Sequence, residues 1–233
     1  MTRNWSKRRM VMSNDLSEHE NLLFRPEELP EEFYFKNYAD LTRFISYFYQ
    51  IDSVFKLKPR TILEVGVGNN LVSNYLKQSG FKLTTVDINK NLKPDVVGNL
   101  ANLPFLDNTF DVVLAFEILE HIPFRDVPTS LYELRRVSRR KVIISVPYSC
   151  LFVESIFSVK TPFMTRQLRL FLGIPTFRAN FKRRSGHYWE MGYKNYPKKE
   201  VRKLLERYFK ITSEFQPLLN PYHYFFILEK TSG

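Results

Sequence analysis

Residues 61–67, TILEVGV, form a short, almost unbroken apolar run that ends in a glycine turn. Such a run suits a strand buried on both faces of a parallel sheet, because a half-exposed strand would alternate apolar with polar residues. A parallel strand needs a crossover before its next partner, and LVSNYLKQSG (71–80) reads as that helix, stopped by Gly80. The turn between them, Gly66-Val67-Gly68, lets backbone N–H groups approach a ligand at the start of a helix. A tight strand-to-helix connection without any ligand is the alternative reading of an isolated Gly-x-Gly.

The same alternation runs through most of the chain. Residues 38–57 place Leu41, Phe44, Ile45, Phe48 and Tyr49 at helical spacing, and Pro59 closes that helix. Further strands are expected at 82–88, 96–99, 110–118 and 141–148, with a helix at 126–139. A helix at 196–209 carries Pro197 in its first turn. Residues 210–218 and 222–230 flank a turn at Leu219-Asn220-Pro221 and read as an antiparallel hairpin. This order predicts an α/β fold with a doubly wound, mostly parallel sheet. Four segments follow: a partly ordered N-terminal arm (1–37), a ligand-binding core (38–148), an inserted segment (149–195), and a helix and hairpin completing the core (196–233). In 233 residues two independent cores would be cramped.

Asp87 ends the second strand, 21 residues beyond Gly66, where a carboxylate accepts hydrogen bonds from both hydroxyls of a ribose. A loop-capping aspartate is the alternative. The third glycine of the dinucleotide fingerprint is missing, since Asn69, Asn70 and Leu71 stand in its place. Farther on come Leu103-Pro104-Phe105, Asp107, Phe110-Asp111 and Glu117-Ile118-Leu119-Glu120-His121. Together with LEVGVGNN and VDI these residues resemble the class I S-adenosylmethionine-dependent methyltransferases, in the group called methyltransferase type 11. The resemblance covers roughly residues 60–148.

It implies a seven-stranded Rossmann-like methyltransferase fold and S-adenosylmethionine as cofactor. By this resemblance Glu64, Gly66 and Gly68 receive the methionine end of the cofactor and Asp87 its ribose. Asn99 stands where the family carries an aspartate facing the adenine amino group, and Leu100 supplies a backbone N–H. Phe116 and Glu117 line the sulfonium side, with core packing and a helix-start acid as their alternatives. Methyl transfer asks mainly for in-line positioning and exclusion of water, and for a base only when the acceptor must lose a proton. The candidates for that base are His121 and His187 with Glu190. Cys150, the one cysteine, reads as an inert thiol and excludes a disulfide scaffold. The histidines are His19, His121, His187 and His223, none at ligand spacing in sequence, so no metal is expected.

The chain carries a formal charge of +11, and residues 151–210 hold 14 Lys/Arg against four acids. The excess therefore belongs to one late segment, the insertion together with the helix that follows it. Three readings compete there. One is a basic, apolar helical flap at a membrane surface that holds a glycan- or lipid-linked acceptor. Another is an RNA-binding surface with aromatics stacking on bases. The last is a lid over a soluble, anionic small molecule. A solvated basic face is the plain alternative. No NPPY-type tetrapeptide follows 110–118, which argues against a nucleobase amine as acceptor. The expectation is methyl transfer to a small or glycan/lipid-linked acceptor, at oxygen. The alternatives are an RNA methyltransferase and a non-catalytic binding protein that keeps the cofactor fold. Lacking an 18-residue apolar run and an apolar leader, the chain is expected in the cytoplasm, with peripheral contact at the inner membrane surface.

Overall fold

The computed structural model describes residues 28–176, 179–183 and 186–231. Residues 1–27 of the arm, and Arg178 and Arg184 of the basic insertion, lie outside the described residues. The strands β1 (Thr61–Val65), β2 (Lys82–Asp87), β3 (Val96–Val97), β4 (Phe110–Phe116), β5 (Ser138–Pro147), β8 (Phe209–Phe215) and β9 (His223–Lys230) form one sheet. Its order is β3-β2-β1-β4-β5-β9-β8. The first five strands run parallel, β9 is antiparallel to β5, and β8 is antiparallel to β9. The expected seven-stranded, mostly parallel sheet with a closing hairpin is therefore the observed architecture. Chain order reverses between β1 and β4, which leaves a crevice at their carboxyl ends.

Both faces of the sheet are covered, which explains why its strands are continuously apolar. Leu63, Val65, Val113, Ala115, Val142 and Ile144 pack on one face with α4 (Val127–Val137) and α5 (Lys198–Glu206). Ile62, Val112, Leu114, Phe116 and Ile143 point to the other, beside α2 (Leu41–Leu57) and α3 (Leu71–Gln78). Helix α2 buries a different side from the one its spacing suggests. Ser46, Tyr47, Gln50, Ser53 and Val54 face inward, whereas Leu41, Phe44 and Phe48 face solvent. Hydrogen bonds hold the polar side in place: Gln50 Nε2 donates to Ser46 Oγ at 3.1 Å, and Ser53 Oγ donates to the Tyr49 carbonyl at 2.7 Å.

Two expectations are corrected. Strand β5 begins at Ser138, three residues early, because Ser138 pairs with Phe110 ahead of an irregularity in the β4–β5 ladder. The insertion is no helical flap. Residues Cys150–Thr161 (β6) and Met164–Pro175 (β7) form a long antiparallel ribbon, registered from Cys150↔Pro175 to Thr161↔Met164. Its β-branched and aromatic residues (Val153, Ile156, Val159, Phe152, Phe157) and the Pro162 turn favour a hairpin of strands. Leu151, Val153, Phe157, Leu168 and Leu172 are exposed along it, and Phe163 at its tip is 98% exposed.

The ribbon is moored by Arg169, which pairs with Glu154 at 2.7 Å and donates to the carbonyls of Gln216 (2.9 Å) and Pro217 (3.1 Å). Sheet and ribbon should therefore respond differently to mutation. Leu114→Ala, in the fully buried β4, is expected to cost about 2–5 kcal/mol in urea unfolding. Leu168→Ser, on the exposed ribbon, should stay within about 0.5 kcal/mol of the parent.

Candidate active site

The crevice between β1 and β4 is built around the glycine turn. Gly66 has φ +80°, and a Cβ there would stand 2.7 Å from Ile118 Cδ1, so only glycine fits. Its N–H donates to the Val86 carbonyl at 2.9 Å, tying the turn to β2. Asp87 completes that tie: Oδ2 accepts from Val67 N at 2.9 Å and Oδ1 from Asn89 N at 2.8 Å. Each oxygen retains a lone pair for a further donor. Asn69, where the glycine pattern breaks, accepts from Leu71 N at 3.1 Å and donates to the Tyr47 hydroxyl at 3.0 Å. It thereby links the turn to α2.

The short helix α1 (Glu31–Asn37) lies against this loop. Tyr34 is the nearest neighbour of the Gly68 Cβ position, at 3.9 Å. Its hydroxyl is pushed well above the usual phenol range by burial, with Tyr38 and Asp87 adding to the effect. Asn89 Nδ2 donates to the Leu29 carbonyl at 2.8 Å, and Lys93 pairs with Glu31 at 3.0 Å. The end of the arm is thus part of the site.

Beyond β4 the chain turns at Glu117 (φ +50°) and brings together groups from four places in the sequence. Glu117 Oε2 lies 3.3 Å from His223 Nε2, and His223 Nδ1 lies 2.7 Å from Ser46 Oγ. His121 Nδ1 is 3.2 Å from the Gly186 carbonyl. His187 Nδ1 is 3.0 Å from Glu190 Oε1, and the two imidazoles stand edge to face with centroids 4.9 Å apart. The segment 186–190 is held by backbone and indole bonds: Tyr188 N donates to the Glu120 carbonyl at 2.7 Å, and Trp189 Nε1 to the Leu119 carbonyl at 3.0 Å. Arg43 lies over the Tyr38 ring at 4.2 Å and is, among the described residues, a cation acting on Glu117 and Glu120.

Residues 63–146 match the family model described as a methyltransferase domain. The match covers less than half of the chain. A stretch of 148 residues, 58% of the chain, is 30% identical to the uncharacterised protein MJ0638 of Methanocaldococcus jannaschii and covers 63% of it. The match therefore spans less than two thirds of that relative. Among solved structures, the chain resembles the 1,6-didemethyltoxoflavin-N1-methyltransferase of Burkholderia thailandensis, crystallised with bound 1,6-didemethyltoxoflavin and S-adenosylhomocysteine. The TM-score is 0.56 at 19% identity, covering 90% of this chain and 93% of that one. It also resembles the N-methyltransferase NodS of Bradyrhizobium japonicum, with a TM-score of 0.56 at 9% identity, covering 87% and 98%. At such identities the likeness is one of fold.

Within the matched residues, Glu64, Gly66, Gly68 and Asp87 come together at the crevice. Glu64 is buried with Oε2 lacking any hydrogen-bond partner. Burial pushes its carboxyl up to about 8, with Asp87 adding to the rise and Lys77 and Ser73 opposing it. Leu100 is buried, while Asn99 is exposed and its amide oxygen already accepts from Ala101 N at 2.8 Å. Phe116 packs on Phe225 with centroids 5.9 Å apart, inside the core cluster on that face. Glu117, Glu120, His121, His187 and Glu190 meet on the far side of the crevice. Burial moves Glu117 up to about 7, lifts Glu120 well above the carboxylate range and pulls His121 down to about 3. His223 is held neutral by the same cause.

Sequence spacing missed Tyr34, Arg43, Glu120 and His223. The aromatic run around 33–49 was the available signal for the first two. Two histidines distant in sequence also come together in space. Glu120, His121 and His187 offer ligand atoms within 4.8 Å of one another, close enough for one cation.

Glu64 also makes a testable statement about pH. Its folded-state pKa lies above the ordinary 4.5, so the native state holds the proton more tightly and stability falls as pH rises from about 5 to about 8. Glu64→Gln should remove up to about 1.4 kcal/mol per pH unit of that slope, measured by urea unfolding across the range. The shares of Glu117 and Glu120 would remain.

Proposed function

We propose that the protein is an S-adenosylmethionine-dependent methyltransferase acting at an oxygen of a small or glycan/lipid-linked acceptor. The observation that carries this reading is the pairing of two structures across one crevice: a glycine turn clamped by Asp87, and a buried Glu/His cluster facing it. The bound cofactor would supply an electrophilic methyl group on a sulfonium.

The chain's own residues do the rest. Asp87 accepts from the ribose hydroxyls with the lone pairs that Val67 and Asn89 leave over. Gly66 and Gly68 keep the backbone open to the methionine end, and the orphaned Glu64 oxygen waits for a donor there. Leu100 presents its backbone to the adenine, with Asn99 at the exposed rim. Tyr34 and α1 lie over the turn and exclude water. On the acceptor side, Phe116 and Glu117 border the reacting centre.

Two groups can take the acceptor proton. Glu117, near 7, is matched to neutral pH. His187 has Nδ1 turned to Glu190, which orients its Nε2 as the second acceptor. His121, at about 3, is too weak a base for that step and serves to position the acceptor. Such a proton sink is what an oxygen acceptor requires.

The acceptor class follows from the ribbon. Phe163 and the exposed Leu and Val residues favour an amphipathic, lipid-linked acceptor met at a membrane surface. The RNA reading has less support, because Arg169 is consumed by Glu154 and Arg183 stacks on Tyr188 at 4.1 Å. The non-catalytic reading rests on Asn69 and Asn99, and Asn69 has a structural duty of its own.

Calorimetry should detect one equivalent of S-adenosylmethionine, and Asp87→Ala should weaken it by about 1.5–3 kcal/mol, tenfold or more. Absence of binding at millimolar cofactor would overturn the reading. The wild-type chain should also co-sediment with anionic phospholipid vesicles at low salt and Phe163→Asp should not, while both bind cofactor equally. Equal sedimentation of the two would remove the lipid-surface acceptor.

A further inference from the structure

We propose that Glu120, His121 and His187 form a binding site for one divalent transition-metal cation at the acceptor end of the crevice. The three residues come from a single turn after β4 and from the segment following the ribbon, and their ligand atoms lie within 4.8 Å of one another. Metal–ligand bonds of about 2.0–2.2 Å need only small side-chain rotations to close on a shared ion.

Three independent observations point to a cation. Glu120 is 1% exposed and its Oε2 has no hydrogen-bond partner, an arrangement that is costly unless a donor or a cation meets it. A carbonyl oxygen only accepts, so His121 turns Nδ1–H toward Gly186 and carries its lone pair on Nε2. His187 does the same through Glu190, the carboxylate–histidine pairing that orients metal-bound imidazoles and strengthens their donation.

Two histidines and one carboxylate suit Zn²⁺, Mn²⁺, Fe²⁺ or Co²⁺ better than Ca²⁺ or Mg²⁺, which prefer all-oxygen sites. With three protein ligands the ion keeps open positions, and a hydroxyl or carboxylate of the acceptor is the natural occupant. The acceptor class is then a chelating oxygen compound, such as a vicinal diol or hydroxy acid. His187 becomes a ligand in this arrangement, which leaves Glu117 to receive the acceptor proton. That bearing on methyl transfer rests on the reading above; cation binding itself does not. Glu190 is a positioning residue, since it acts through His187.

The test uses the full, untagged, metal-stripped chain titrated with Co²⁺ and Zn²⁺ in the absence of cofactor. One equivalent of Co²⁺ should bind with visible d–d absorption and be displaced by Zn²⁺. Glu120→Gln, His121→Gln and His187→Gln should each weaken binding at least tenfold, and Glu190→Gln should weaken it about 10–100-fold. Circular dichroism checks that each variant is folded, and the wild-type titration stands whatever the variants do. Asp87→Ala should keep the Co²⁺ spectrum while losing S-adenosylmethionine. Failure of the wild-type chain to bind one equivalent overturns the site. So does unchanged affinity in both Glu120→Gln and His187→Gln. Cation binding without cofactor binding would sink the methyltransferase reading and leave the site standing; the reverse would sink the site alone.

Discussion

Five carboxylates (Glu64, Asp87, Glu117, Glu120 and Glu190) are withdrawn from water around the carboxyl ends of β1 and β4, and the surroundings are organised by that cost. Moving a carboxylate out of water is expensive unless donors or opposite charge replace the lost hydration. Asp87 is compensated by backbone N–H groups of the turn and of Asn89. Burial nevertheless lifts Asp87, as it lifts Glu64, Glu117 and Glu120, above the usual range. A fold that only needed stability would place apolar side chains at these positions. Groups under such strain, gathered in a crevice at the switch point of the sheet, are the mark of a site that completes itself with ligands.

The N-terminal helices explain how the crevice is closed. Parallel strands leave their carboxyl ends open to solvent, so something outside the alternating core has to cover them. Helix α1 lays Tyr34 on the glycine turn, and α2 contributes Arg43 to the acids and Tyr47 to Asn69. Helix α2 accordingly turns its polar side inward. Its apolar side, Leu41, Phe44 and Phe48, is left facing solvent, which is the reverse of an ordinary amphipathic surface helix.

What could be read from the sequence follows the range of the interactions. The strands 61–67 and 110–118, the glycine turn and Asp87 are local patterns, in which residue type and spacing carry the geometry. They were legible, and the sheet came with them. Register and packing between distant segments were not. His187 and His121 are 66 positions apart in sequence, and only the descent of residues 186–190 onto Leu119 and Glu120 brings their rings together. The ribbon was misread for a different reason. Its 24 strand residues have apolar side chains on both faces, so neither a period of two nor one of 3.6 stands out.

The basic excess also changes meaning once it is located in space. In sequence it looked like a footprint for an anionic partner. In the fold, Arg169 moors the ribbon to Glu154 and the β8 tail, Lys198 and Arg202 pair with Glu214, and Arg183 lies over Tyr188. These cations are partly spent on holding the acceptor-side elements to the sheet. The crevice itself, by contrast, is rich in buried acids. A chain with a formal charge of +11 thus carries, among its described residues, a crevice lined by buried carboxylates and imidazoles, so the sign of the whole molecule does not describe the surroundings within that crevice.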